Sequence, residues 1–253
     1  MESILRIMGE YGKNADPTML QAKFNSQSGG PSEEIARLAG SRFVNISEPE
    51  KKITLDAALT KRLTGNDTIT ARYLHENSFE FRPNFKIFIN TNHRPNITDL
   101  TLFESGRIKI IPFDRHFEEN EQDKDLKSTF AKPENMSGIL NWMLEGYKLF
   151  RSQGLAMPDS VVQATTDYQI FSDKMGQFFD ECIEEKEGFE LRRGAVYTRY
   201  KEWCGENGYR AEAAKNLNQY IEKRYKTSRK RPNDGSSSST TPMVLDVAFT
   251  ASE

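Results

Sequence analysis

Ser41-Arg-Phe-Val-Asn-Ile-Ser-Glu-Pro-Glu50 sets a short apolar run directly against two acids. Phe43, Val44 and Ile46, with two β-branched members and bounded by Gly40 and Pro49, read as a buried strand rather than a helical turn. Glu48 and Glu50 then stand where the carboxyl end of that strand opens into a loop, the edge at which α/β sheets bind ligands. One carboxylate there can hold Mg²⁺ on a nucleotide, and a second can polarise water for attack on a γ-phosphate. Taken alone, the stretch also reads as a strand followed by a solvated acidic turn, so its meaning depends on its neighbours.

Working outward, Phe85-Lys-Ile-Phe-Ile-Asn90 is a second buried strand running into Thr91-Asn92-His93, and Arg107-Ile-Lys-Ile-Ile-Pro-Phe113 is a third, shorter one. Between the first two, Leu55, Ala58, Leu59 and Leu63 form a helical face that leaves Lys61 and Arg62 near the helix end. Residues Ile69 to Arg72 and Phe79 to Phe81 read as a hairpin-like pair carrying Arg72 and Arg82. Upstream, Ile4, Leu5, Ile7 and Met8 have helical spacing, with Gly9 and Gly12 as C-terminal punctuation. Gly9 to Asn14 lacks the GxxxxGK[ST] spacing of a phosphate loop. Gln27 to Ser32 reads as a loop, and Ser32 with Glu33 and Glu34 starts a helix to about Ala39. Strands alternating with helices or loops imply a mainly parallel sheet whose functional edge holds Glu48 and Asn92.

Beyond Phe113 the character changes. Residues 118–125 form a charged surface loop, and a helix from Ile139 to Phe150 places Ile139, Leu140, Met143, Leu144 and Tyr147 on a buried face. A long helix is expected from about Asp159 to Glu185. A second module follows, with a short strand at Phe189-Glu-Leu191 and helices at Gly194 to Cys204 and Ala211 to Tyr225. Short helices with a basic end are the pattern of a winged-helix or related module. From Lys186 to Arg231 there are 13 Lys/Arg against 6 Asp/Glu, a patch suited to phosphate backbones or, alternatively, a solvated basic surface. Asp234 to Pro242 is low complexity and expected to be disordered, while Met243 to Phe249 can pair as an edge strand.

At 253 residues and 29.0 kDa the chain has room for two domains. The net charge of -2 and pI near 6.1 exclude a global basic field, so a nucleic-acid site must be local. Cys182 and Cys204 have neither disulfide-framework nor zinc spacing. No membrane span or export signal is read, which makes the expected compartment cytoplasmic.

Four blocks, Arg42 to Glu50, Leu59 to Arg72, Phe85 to Pro95 and Arg107 to Phe113, together resemble the ATPase half of phage and plasmid primase-helicases of helicase superfamily 3, with the poxvirus-type primase-helicase as a relative. The blocks keep the family order over residues 35–117, and residues 140–232 resemble, more loosely, the helical extension and winged-helix module that follow.

The resemblance implies an α/β fold: a mainly parallel AAA-like ATPase core in 1–117, truncated at its N-terminus, a helical extension in 118–175, a winged-helix-like DNA-binding module in 176–232 and a disordered tail in 233–253. It implies ATP and Mg²⁺ as cofactors, single-stranded DNA as partner, and a homo-oligomeric, hexameric ring. Glu48 would bind metal and nucleotide, Glu50 would activate water, and Asn92 would sense the γ-phosphate or the attacking water, an amide being both donor and acceptor. Arg107 matches the arginine finger that reaches a neighbour's nucleotide, although the family's frequent second arginine is Gly106 here. Lys61, Arg72 and Lys86 would face DNA in the ring channel, and Arg192, Arg193, Arg229, Lys230 and Arg231 would bind it in the basic module. The family's GxxxxGK[ST] loop and upstream primase domain are absent from residues 1–253. The chain is therefore expected to be a fragment or a naturally shortened frame that does not hold ATP tightly alone. The rival reading is a non-catalytic DNA-binding or ring-regulating protein.

Overall fold

In the computed structural model, which describes residues 1–22, 33–47, 53–230 and 240–250, the chain divides into two units, Met1–Ser172 and Asp173–Glu253. Unit 1 opens on α1 (Glu2–Met8), ended by Gly9 at φ 54°. Gly12, expected as further helix punctuation, instead opens β1 (Gly12–Asn14). A Cβ at Gly12 would lie 3.1 Å from the Leu5 carbonyl oxygen and from Met8 Cβ, so the close approach of the strand to α1 favours glycine there. After α2 (Glu33–Ala36) comes β2 (Phe43–Ser47), whose first four residues are all buried. This is the continuous burial of a strand inside a parallel sheet.

Asp56 caps α3 (Ala57–Leu63) by accepting from the Leu59 amide at 2.9 Å. Strands β3 (Ile69–Ala71) and β4 (Phe79–Phe81) form the expected antiparallel hairpin, and β5 (Lys86–Asn90) returns to the main sheet. That sheet has the order β1-β2-β5 with every neighbour parallel. Leu38, Val44, Ile46, Leu63, Ile69, Ile97 and Leu102 are among the best-buried members of the core around it.

Three expectations fail in the remainder of unit 1. After α4 (Thr101–Glu104), Arg107 to Phe113 has no regular secondary structure and forms no ladder among the described residues. The Ile110 amide donates to Thr165 Oγ1 at 3.0 Å instead, and a strand needs a neighbour that the sequence pattern cannot supply. Beyond α5 (Leu126–Phe130), α6 (Pro133–Gln153) is longer than expected and buries none of its residues; Leu140, Leu144 and Tyr147 are 43%, 49% and 54% exposed. Its spacing is amphipathic, but nothing in the spacing names what would cover the stripe. The single helix expected from Asp159 to Glu185 is two, α7 (Asp159–Ser172) and, at the start of unit 2, α8 (Lys174–Cys182). Asp173 makes the break by accepting from the Gly176 amide at 2.8 Å. A Cβ at Gly176 would sit 2.4 Å from Asp173 Oδ2, so the cap needs glycine there.

Unit 2 continues with β6 (Ile183–Arg192), α9 (Arg193–Glu206), α10 (Ala214–Arg224), β7 (Thr227–Lys230) and β8 (Thr241–Phe249). The antiparallel order is β6-β8-β7, so β8 is the middle strand. Thr241–Phe249 is thus neither the tail nor the edge strand read from the sequence. The Ser/Thr-rich segment before it hides a partner only the folded sheet reveals; residues 231–239 and 251–253 lie outside the described residues. Tyr200, Phe178, Leu217, Ile221 and Val244 are fully buried, with Phe178 edge-on to Phe179 and to Tyr200 at 5.2 Å. Among the described residues the fold is mixed α/β, with one parallel sheet and two antiparallel ones. Among the described residues no helix is long and apolar enough to cross a membrane.

Phe178→Ala should destabilise unit 2 by about 3–5 kcal/mol, the usual cost of emptying a fully buried aromatic site. In a Trp142→Phe background, urea unfolding followed by Trp203 fluorescence checks it; a midpoint unchanged from the background protein would show that Phe178 does not anchor this core.

Candidate functional site at the carboxyl edge of the parallel sheet

Since β1, β2 and β5 run in one direction, their carboxyl ends share one edge, with Asn14 opposite Asn45 and Ser47 opposite Asn90. Three amides are chained across it. Asn45 Nδ2 donates to Asn14 Oδ1 and to Ser47 Oγ, each at 2.9 Å, and Asn90 Nδ2 donates to Asn45 Oδ1 at 2.5 Å. Asn45 is only 5% exposed, so both ends of its amide are used, as burial of a polar group demands. Past Asn90 the chain turns: Thr91 Oγ1 accepts from the His93 amide at 2.9 Å and donates to the His93 carbonyl at 2.7 Å. Asn92 is exposed on this turn. Glu48 and Glu50 lie outside the described residues. Sequence reasoning missed Asn14, Asn45 and Asn90; the available signal was a polar residue inside a buried apolar run.

Metal can be tested against the donors present. No group of three His, Cys, Asp or Glu able to hold an ion occurs among the described residues. Mg²⁺ at this edge would depend on Glu48, Glu50 and the phosphates themselves, which fits an ion commonly bound by one or two carboxylates and substrate oxygens.

Lys86 and Arg107 lie elsewhere. Lys86 begins β5 and so stands at the amino edge, about 13 Å along the strand from Asn90 at the usual rise per residue. It lines a cleft of about 330 Å³ with Thr64, Asn66, Asn84 and Arg107. Arg107 Nη1 donates to the Thr64 carbonyl at 3.0 Å and to Thr64 Oγ1 at 3.2 Å, placing a cation on the negative end of α3. Lys61 pairs with Asp99 at 2.7 Å. Burial pushes the Asp99 carboxyl up, but Lys61 and the Thr101 hydroxyl and amide outweigh it and hold the pKa below the usual carboxylate value. Arg72 is half-buried and already engaged.

The basic residues of unit 2 separate in the same way. Arg193 is turned inward, its side chain 13% exposed and bonded to Glu222 at 2.6 Å, which removes it from a surface patch. Lys230 pairs with Glu190, Arg224 with Asp180 at 3.0 Å, and Arg199 with Glu206 at 3.1 Å. Arg192 is exposed but engaged, and Arg231 lies outside the described residues. Arg229 remains exposed, joined by Lys215 and Lys223 of α10 and by Lys226, which the sequence reading did not single out. The signal for Lys215 and Lys223 was position on the solvent face of a helix whose other face carries Leu217 and Ile221. Cys182 and Cys204 are buried, and burial pushes both thiols up, making them poor nucleophiles.

Comparison with known proteins places the chain among viral sequences. The chain is 28% identical over 248 residues to a protein of Acanthamoeba polyphaga mimivirus named "Putative helicase", covering 90% of this chain and 25% of that protein. It is 28% identical over 196 residues to a protein so named from Frog virus 3 (71% of this chain, 20% of that one), and 29% over 159 residues to one from Sputnik virophage (58% and 20%). The chain thus spans a quarter or less of these relatives, and it is a relative of viral proteins named as helicases. Residues 171–244 match the family described as Poxvirus D5 protein-like. Over those residues the likeness is, more particularly, to this poxvirus family.

The Lys61–Asp99 pair has a defined pH signature. A depressed folded-state pKa contributes stability above the unfolded value near 3.9 and loses it as pH falls through the folded value. Both partners are over a third exposed, so the contribution is at most about 1 kcal/mol. Urea midpoints of Lys61→Met should fall below the parent's equally at pH 7 and 5.5, and the gap should narrow progressively as pH falls below the unfolded value near 3.9; a gap that stays constant or widens on further acidification would show that the ion pair is not its source.

Proposed function

We propose that the chain is the nucleotide- and DNA-handling segment of a viral replicative helicase, using ATP and Mg²⁺ to translocate on single-stranded DNA as a ring. The observation that carries this is the parallel pairing of β2 with β5, Ser47 opposite Asn90. It brings the strand end preceding Glu48 and the strand end preceding Asn92 to one sheet edge. In this reading Glu48 holds Mg²⁺, Glu50 activates water, and Asn92 bonds the γ-phosphate or the attacking water. Arg107, at the amino edge, serves a neighbouring subunit rather than its own site, in a hexameric ring. The order helix, strand, two helices, two strands in unit 2 is that of a winged helix, with Lys215, Lys223, Lys226 and Arg229 offered to phosphates. The absence of GxxxxGK[ST] from residues 1–253 favours the rival, a non-catalytic ring partner, for this stretch alone.

With a strand and a GxxxxGK[ST] loop joined upstream, Glu48→Gln and Asn92→Ala should each lose most ATP turnover while still binding nucleotide. Arg107→Ala should lower turnover by roughly 10³–10⁵-fold, the usual size of a finger's effect, with rings intact. Mixing it with Glu48→Gln subunits should restore part of the activity. Rings of confirmed mixed composition that stay inactive would remove the trans role of Arg107, and a loop-bearing chain without turnover would favour the rival.

For DNA, each lost phosphate contact should reduce the salt slope of oligo(dT) binding by about 0.7. Substituting Lys215, Lys223, Lys226 and Arg229 together by Ala should flatten the slope measured by fluorescence anisotropy, whereas Arg193→Ala should not. An unchanged slope in the fourfold variant would place the DNA site outside unit 2.

A further inference from the structure

Two separate segments of unit 1, one carrying Asn92 and the other Arg107, are tied to the same helix one turn apart. Tyr168 of α7 donates its hydroxyl to the Pro95 carbonyl, three residues after Asn92. Its buried ring meets Phe103 edge-on at 5.4 Å and lies 5.4 Å from the Arg94 guanidinium above it. Burial pushes the Tyr168 hydroxyl well above the usual tyrosine value, against the opposing charge of Arg94, so it keeps its proton and remains a donor. Thr165 Oγ1 accepts from the Ile110 amide at 3.0 Å, and Ile110 stands three residues after Arg107. The Thr165 hydroxyl gives its own proton to the Val161 carbonyl at 2.6 Å. Residues three apart, as Thr165 and Tyr168 are, share one face of a helix.

Neither segment has a ladder to hold it at these points. The Asn92 turn is fixed at its ends, where Asn90 donates to Asn45 and the Asn96 amide donates to the Ile53 carbonyl at 2.8 Å. Between those ends Pro95 has no amide to give, and its carbonyl takes the Tyr168 proton. In the other segment the Arg107 amide donates to the Leu102 carbonyl at 3.1 Å, and the Ile110 amide makes the next backbone bond among the described residues. Phenylalanine and valine would fill the same two places on α7, so packing alone calls for neither hydroxyl. What the hydroxyls add is direction, because a hydrogen bond fixes the group it meets as burial does not.

We propose that Tyr168 and Thr165 are positioning residues: through the Pro95 carbonyl α7 sets the Asn92 turn for its own subunit's nucleotide, and through the Ile110 amide it sets Arg107 for the neighbour's. This rests on the roles given to Asn92 and Arg107 above. The two anchors stand about 4.5 Å apart along the helix at the usual rise, so one stiff body sets two groups that serve different sites. Misplacement of a reacting group by about 1 Å can cost on the order of 10²-fold in rate, which gives a single hydroxyl on α7 a measurable hold on turnover.

The first readout needs no nucleotide. In residues 1–253, followed by NMR, Thr165→Val should speed exchange of the Ile110 amide at least tenfold, and Thr165→Ser should not. Tyr168→Phe should move the Asn92 and His93 resonances and leave Ile110 as in the parent. Thr166 Oγ1 donates to the Val162 carbonyl at 3.0 Å but does not meet the Arg107 segment, so Thr166→Val should change neither. In the loop-bearing chain, Tyr168→Phe and Thr165→Val should each lower kcat about tenfold with KM for ATP changed less than twofold. Mixing then separates them. Tyr168→Phe subunits, with sound fingers, should recover activity with Arg107→Ala subunits and not with Glu48→Gln subunits; Thr165→Val should do the reverse. A purely structural defect gives no such reversal, so equal recovery with both partners, or none, would overturn the proposal. An Ile110 amide unmoved by Thr165→Val would overturn it too, as would unchanged kcat in a chain that Asn92→Ala and Arg107→Ala inactivate. If those last two variants keep full turnover, the roles of Asn92 and Arg107 fail first, and the positioning roles with them.

Discussion

The buried amide of Asn45 is the constraint on which the candidate site depends. A polar side chain in the most deeply buried strand of unit 1 must find partners on the strands beside it. It finds Asn14 on β1, Ser47 on its own strand and Asn90 on β5. A one-residue slip in either pairing would send Asn14 or Asn90 to the opposite face and strand the amide without a partner. The network therefore ties three strands into one register, and that register puts the turn bearing Asn92 beside the strand end that leads to Glu48.

Unit 2 is held by a different kind of interaction. Its core is aromatic, with Phe178 against Phe179, Tyr200 and Trp203, and its sheet is closed by a strand from the end of the chain. The Trp203 indole donates to Glu181 at 2.7 Å, tying α9 to α8. Charges are arranged around this core largely as pairs, so the sequence's excess of basic residues is greater than the number of cations left facing solvent. Burial of Arg193 against Glu222 follows from its place at the first turn of α9, whose neighbour α10 carries the acid.

Exposure in unit 1 is uneven in a way that bears on what surrounds it. The first four residues of β2 are buried, while α6 buries none of its residues, Phe113 is exposed, and β5 has no second strand beside it among the described residues. Isolated helices draw most of their stability from packing of an apolar face. A 21-residue helix with no buried residue is therefore a surface suited to a cover, in keeping with relatives at least four times as long as the matched region.

From its sequence alone this chain determined its strands β2 and β5, the hairpin β3–β4 and the helical pieces α1, α3 and α10, because each is written in local periodicity, with Gly9 closing α1 and Asp56 capping α3. It also determined the family resemblance, which lies in the order of four short blocks. Tertiary structure alone decided which candidate residues meet. Asn92 shares its edge with three asparagines that no motif marks, Arg107 lies at the opposite edge bonded to Thr64, Lys61 is occupied by Asp99, and Arg193 is folded inward. It also decided that Thr241–Phe249 is a middle strand and that Arg107–Phe113 is not a strand at all. Periodicity records which face of a segment is apolar, but a ladder or an ion pair needs a partner, and partners far apart in the chain are set only when the chain folds.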